Sequence, residues 1–222
     1  MTSKAAVSAR VGGICALLAF LAFAIGSIAG GLAQPDAYSS AHDDLSDLGA
    51  LTANSAWLYN QVTANLSGLL IAVVGLALWR ALSPDLLGRI GAAALVATGI
   101  SYFFDGIFRL DCRGIDAGCK NVSWHSHAHK VESTVSAVLV LGTPLVLAFA
   151  FRRNPVWRGA WLPTLLAAPV ALAIGIPFSA LGSAAAQRAT TYTWFIWLAY
   201  VGVRLLRAPV TRAPRAAAHR TT

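Results

Sequence analysis

The chain has 222 residues, 57% of them hydrophobic and only 12% charged, about half the charged share of a soluble globular domain. That balance excludes a water-soluble enzyme and a disordered chain and leaves an integral membrane protein. The formal net charge of +8 suggests nucleic acid at first sight, but the placement of the charges removes that reading.

Six apolar runs are long enough to approach the roughly 20 helical residues that cross a hydrocarbon core. They predict an all-α polytopic bundle with spans at 11–33, 57–79, 90–108, 131–151, 161–181 and 191–204. Residues 1–206 form one six-span transmembrane domain in this reading, and 207–222 a basic, disordered cytoplasmic tail. With both termini cytoplasmic, twelve of the 17 Lys and Arg lie inside and eight of the nine acids outside. This is the positive-inside pattern. The basic excess is topological, so no nucleic-acid partner is expected and the partner is the lipid of a cell membrane.

In chain order, Val11–Ala33 carries no charge and is longer than the 7–15 apolar residues of a cleaved signal, so it is expected to stay as a membrane helix. Cys15 within it reads as a small core residue. The first outer loop, 34–56, is acidic and rich in turn formers. Its LSDLGAL stretch reads either as part of a solvated acidic loop or as a turn that tucks Leu45 and Leu48 against the bundle and folds Ser46 and Asp47 over the mouth. Trp57 and Tyr59 then read as interfacial aromatics opening the second span. Asn60, Gln61 and Asn65 occupy its outer third, and Asn65, Gly68, Ala72 and Gly75 mark a narrow face for close helix packing.

In the inner turn after it, Ser83 is placed to cap and Pro84 to open the third span. Thr98, Ser101 and Asp105 share one face of that span. A carboxylate one turn below the interface must pair, bind a cation or protonate, which makes Asp105 the foremost site residue, with Asp111 just beyond it. Cys112 and Cys119 lie in a second outer loop. An oxidising side favours a disulfide, which a zinc-thiolate role would exclude, and a pair of free thiols is the remaining reading. The following stretch, SWHSHAHKVESTVS, aligns His125, His129, Glu132, Ser133 and Ser136 on one helical stripe, with His127 opposite. Two imidazoles at i, i+4 are a common way to present a metal. Pro163, Pro169 and Pro177 fall in the fifth span, where Gly175 and Pro177 could bend the outer half and open a cavity. Gln187 and Arg188 are expected in a third outer turn, with Arg188 a counter-ion for Asp47, Asp105 or a bound anion. Tyr192, Trp194 and Trp197 then suggest an interface belt.

No phosphate loop, dinucleotide glycine pattern, HExxH or GxSxG occurs, and no internal repeat of the transporter kind. Several short motifs do carry a resemblance: SDLGA at Ser46–Ala50, the Asn-bearing second span (Asn60, Asn65, Gly68), and FFDGIFRLDC ending the third. His125 and His129 at the entry to the fourth, and Gln187-Arg188 followed by Trp194, complete it. In these the chain resembles the six-helix bacterial and archaeal membrane proteins grouped as domain of unknown function 998. The resemblance covers nearly the whole chain and implies a six-span bundle, without an activity to carry over. Arg109 stands where that pattern expects a proline. A more distant likeness links the Ser, Asp and His set to membrane hydrolases such as alkaline ceramidases, but order and spacing differ.

The sequence therefore leads to an outer polar site made of Ser46, Asp47, Asn60, Asn65, Ser101, Asp105, Asp111, Glu132, Gln187 and Arg188. The foremost reading is a binding, sensing or accessory protein for a lipid or small molecule. The alternative is a zinc-assisted hydrolase or transferase on a lipid-linked substrate. In it, His125, His129 and Asp105 hold zinc, Asp47 acts as base, and Arg188 clamps an anionic headgroup. A permease is third, weakened by the lack of polar groups toward the cytoplasmic half.

Overall fold

The architecture is that of a computed structural model, which describes residues 3–208. Helix α1 spans Ser3–Leu32, α2 Ser67–Leu82, α3 Leu86–Asp105, α4 Trp124–Arg153, α5 Trp161–Ser179 and α6 Ser183–Arg207. A 3-10 turn covers Leu45–Gly49, and a π-helix at Leu58–Leu66 runs directly into α2. No strand is present among the described residues. The expected basic tail, from residue 209 on, lies outside the described residues.

Five helical segments are long and apolar enough to cross a membrane: Ala6–Leu32, Leu58–Leu82, Leu86–Asp105, Trp124–Arg153 and Arg158–Ser179. The sixth helix, α6, is 25 residues long but more polar. Each helix packs on the next, and α6 closes back onto α1. The result is a ring of antiparallel neighbours, the arrangement that short connections favour. Outward-facing Ile14, Leu21, Ile25, Ile28, Leu69 and Leu76 remain exposed, as a lipid-facing surface requires. The protein is a polytopic helical membrane bundle.

Helices α2 and α3 approach backbone to backbone. A Cβ on Gly68 would stand 2.5 Å from the Phe103 amide nitrogen, and one on Gly99 would stand 2.5 Å from the Gly68 carbonyl oxygen. The small-residue face expected at Gly68, Ala72 and Gly75 thus meets Gly99 and its neighbours, the close packing available to helices without bulky contacts.

Several expected boundaries shift for local reasons. Ser83 does not cap α3: its hydroxyl donates back to the Trp79 carbonyl, and Asp85 is the N-cap, accepting from the Gly88 amide at 2.7 Å. The Ser83–Pro84 peptide is cis. Helix α4 begins at Trp124, not 131, because Ser123 caps it by accepting from the Ser126 amide. Gln187 and Arg188 sit inside α6, and the third turn shrinks to residues around Gly182. Gly182 has φ +141, and a Cβ there would collide with the Ala41 carbonyl, so only glycine fits that turn.

Two aromatic assignments are overturned. Trp194 and Trp197 are buried, 2% and 5% exposed, with Trp197 Nε1 donating to Thr164 Oγ1 at 3.2 Å. They belong to the core, Trp197 against α5 and Trp194 against Tyr102 of α3, not to an interface belt. Tyr59 is likewise buried, while its neighbour Trp57 is exposed. The π-helix explains this. Its wider turn, with bonds reaching i+5, rotates Tyr59 inward, and Gly26 of α1 makes room, since a Cβ there would press on Thr63 and the Leu58 carbonyl.

Candidate polar site at the loop end of the bundle

The first outer loop lies as a lid across one end of the ring. Leu45 and Leu48 are buried, so the turn packs on the bundle and is not a solvated loop. The Leu51 amide donates to the Leu110 carbonyl at 3.0 Å, and Asp47 Oδ2 accepts from the Gly114 amide at 3.2 Å. These bonds tie the lid to the second loop. On the opposite side, Gln187 Oε1 accepts from the Leu45 amide at 3.1 Å. Arg188 donates to the Asp43 carbonyl at 2.7 Å and to the Tyr38 hydroxyl.

Two sequence-derived roles change at this point. Arg188 pairs with no carboxylate: the ion pairs among the described residues are Arg113–Asp116 and His129–Asp105. Its five donors suit planar, multi-pronged contacts, and here they grip a loop carbonyl and a phenol. Asp47 points at the second loop, away from the cavity below, and burial pushes its carboxyl up from the ordinary range. It fastens the lid.

The second loop is closed by the Cys112–Cys119 disulfide, with Cα atoms 6.2 Å apart. Of the readings open for this pair, the disulfide is the one formed, so neither sulfur can ligate a metal. The Asn121 side chain brackets Cys112, accepting from its amide and donating to its carbonyl. Asp111 accepts from the Val122 and Ser123 amides, both at 2.8 Å. The Ser123 hydroxyl and these amides hold its carboxyl down at about 2, so it is a charged cap at the start of α4.

Beneath the lid is a cavity of about 620 Å³. Phe23, Leu45, Ala64, Val140, Leu141 and Leu172 are among the apolar residues of its wall, and Ser46 and Gln187 reach it from above. Phe23 and Tyr102 continue that wall into an aromatic layer: Phe23 stacks on Phe195 at 4.1 Å, and Tyr102 on Trp194 at 6.2 Å. Ser133 and Ala137 of α4 and Leu172 and Ile176 of α5 line the cavity yet are exposed. Its mouth therefore opens between α4 and α5. Gly175 borders it, at the position where the sequence anticipates an opening.

One pole of the cavity is polar. Asp105 and Glu132 line it, and His129 stands behind them. Suitable ligand atoms of the three lie within 4.8 Å of one another. Tyr59 donates to Asp105 Oδ2 at 2.6 Å, and Ser101 donates to Glu132 Oε1 at 2.7 Å. His129 Nδ1 is 3.1 Å from Asp105 Oδ1, out of line for a hydrogen bond, while Nε2 meets Ser133 Oγ at 3.3 Å. Glu132 Oε2 is buried without a partner. Two carboxylates and one imidazole in so little water can share a proton or hold a cation.

His125 is not part of this set. Its ring stacks on Trp124 at 3.7 Å and faces Phe108. Glu132, three residues beyond His129, occupies the place that the i, i+4 histidine reading gives to His125. Asn60 and Asn65 also stay out of the cavity. Asn60 donates to the Gly49 carbonyl at 3.1 Å, holding the lid, and Asn65 packs against Gly106 at the end of α3. Sequence reasoning missed Tyr59, whose inward turn depends on the π-helix and leaves no trace in periodicity.

No curated protein and no solved structure matches the chain significantly. A family model described as "Protein of unknown function (DUF998)" matches residues 14–204, which take in α2 to α5 whole and most of α1 and α6, and the chain belongs to that family.

Proposed function

We propose that the protein is a membrane receptor or carrier site for an amphiphile, a lipid or a lipid-like small molecule, held under the lid with its head at the polar pole. One observation carries this reading: a mainly apolar cavity of about 620 Å³ with its two carboxylates, Asp105 and Glu132, set together, and a mouth between α4 and α5. Its volume falls within the roughly 300–1,000 Å³ of small-molecule sites. A mouth on the lipid-facing side admits an acyl chain from the bilayer without passage through water. The hydroxyls of Ser133 and Ser136 and the amide of Gln187 supply neutral donors for a head group near Asp105 and Glu132. In the topology that the basic residues favour, this end faces outward at the cell membrane. The role is binding, sensing or presentation of the amphiphile to a partner.

The test is native mass spectrometry of protein released from mild detergent, wild type beside Leu172→Trp. Leu172 lines the mouth, and a tryptophan there fills it. Wild type is expected to carry a discrete amphiphile that organic extraction identifies, and the variant to lose at least tenfold of its occupancy. Equal occupancy in both, or only a detergent distribution, would sink the reading.

A further inference from the structure

We infer that Asp105, His129 and Glu132 form a binding site for one divalent cation of the zinc class, distinct from the histidine-pair site that spacing alone suggests. The charge balance is the starting point. Two carboxylates, with Glu132 8% exposed and the Asp105 side chain 13% exposed, face only one partly basic group, His129. Neither carboxylate is paired with Lys or Arg among the described residues. With both carboxylates ionised, even a protonated imidazole leaves this pocket one negative charge in excess, and an isolated buried charge is costly.

The hydrogen bonds then show which atoms are committed and which are free. Each carboxylate has one oxygen anchored by a neutral hydroxyl: Asp105 Oδ2 by Tyr59, Glu132 Oε1 by Ser101. The remaining oxygens, Asp105 Oδ1 and Glu132 Oε2, accept no hydrogen bond from the protein. Glu132 Oε2 and His129 Nδ1 are both buried and unpartnered, a rarity that asks for an explanation such as an ion. When Nε2–H donates to Ser133 Oγ, Nδ1 presents its lone pair beside Asp105 Oδ1, 3.1 Å away. All three residues thus have an outer partner fixing one atom, and ligand atoms of the three lie within 4.8 Å of one another, as in a metal site with an orienting outer shell. One imidazole nitrogen and two carboxylate oxygens suit zinc or a neighbouring first-row ion. The fourth position faces the cavity.

This site does not depend on the amphiphile reading, and its test keeps the two apart. Detergent-purified full-length protein is stripped with a chelator, dialysed against a small excess of zinc chloride, and its metal measured by elemental mass spectrometry. About one zinc per chain is expected in wild type. Asp105→Asn, Glu132→Gln and His129→Gln should each lose it. Tyr59→Phe and Ser101→Ala, which remove only outer partners, should bind roughly 10–100-fold more weakly. His125→Ala and His127→Ala should bind as wild type does, and so should Leu172→Trp, which closes the cavity mouth. If the ligand variants fail to fold, the Tyr59→Phe and Ser101→Ala affinities and the visible spectrum of cobalt-loaded wild type decide. Background metal in wild type, retention in Glu132→Gln, or loss in His125→Ala or His127→Ala overturns the assignment.

Discussion

The Tyr59 hydroxyl donates to Asp105 Oδ2 across 2.6 Å, joining the π-helix at the start of the second span to the last residue of α3. The phenol is buried at the cavity wall, and it is the nearest neutral donor to a carboxylate that water barely reaches. Tyr59→Phe keeps the ring and removes only this donor. It is expected to destabilise the protein by about 1–3 kcal/mol, the cost of leaving a buried acceptor unsatisfied. Thermal unfolding in a fixed detergent checks this. An unchanged midpoint would mean that Asp105 finds another donor.

The approach of α2 and α3 sets where Asp105 stands. Gly99→Ala drives a methyl into the Gly68 carbonyl and the Ala72 backbone, and neither can move without parting the helices. Overpacking of this kind costs about 1–3 kcal/mol. Gly142 of α4 is the internal control, since a Cβ there meets nothing within 4 Å. Gly142→Ala is expected to be neutral or to stabilise by up to about 1 kcal/mol, through the better helix propensity of alanine. Parallel melting curves of the two variants give the comparison.

Reduction of Cys112–Cys119 opens a short loop. Loop-closure entropy for so few residues amounts to about 2.5 kcal/mol, but the Asn121 bracket around Cys112 and the Asp111 contacts persist. A reductant should therefore raise hydrogen exchange across residues 110–123 and leave the cores of α2 and α3 protected. Loss of protection throughout the bundle would show that the loop holds the ring together.

Asp111 gives a pH dependence with a definite sign. Its folded carboxyl is held at about 2, below the ordinary 3.8. The stabilisation is present above the unfolded value and is lost as pH falls through the folded one. The midpoint difference between wild type and Asp111→Asn should be constant near neutral pH, shrink below about pH 4 and vanish toward pH 2. Asp47 is shifted the other way by burial, so acid favours its folded form, but that contribution is common to both proteins and cancels. A difference that grows on acidification would contradict the assignment.

Arg188 is the latch of the lid. Arg188→Ala removes its bonds to the Asp43 carbonyl and the Tyr38 hydroxyl, leaving the Gln187 contact and the Ala185–Ala41 backbone bond. Loss of about 1.4 kcal/mol from local closure corresponds to a tenfold larger open population. Cleavage at Asp36, Asp43 and Asp44 by a protease selective for acidic residues should accelerate roughly tenfold while the helices stay intact. An unaltered rate would place the latch elsewhere.

Hydropathy and charge determined the class of this protein, because a bilayer leaves a chain few solutions: its backbone must be satisfied internally, and its basic residues sort to one side. Local periodicity also placed real neighbours on common faces. Ser101 and Asp105 share one, His129 and Glu132 another, and Gly68 with Ala72 and Gly75 mark the surface against α3. What remained out of reach was decided between segments. Tyr59 turns inward only because a π-helix widens one turn beside Gly26. Arg188 serves the lid because Asp43 and Tyr38, some 145 and 150 residues earlier in the chain, fold over it. Glu132 in place of His125 completes the acid–imidazole cluster because α3 and α4 meet in a register that neither helix encodes alone. Spacing along one helix says which side chains point together, but which of them meet a partner across the ring is a property of packing.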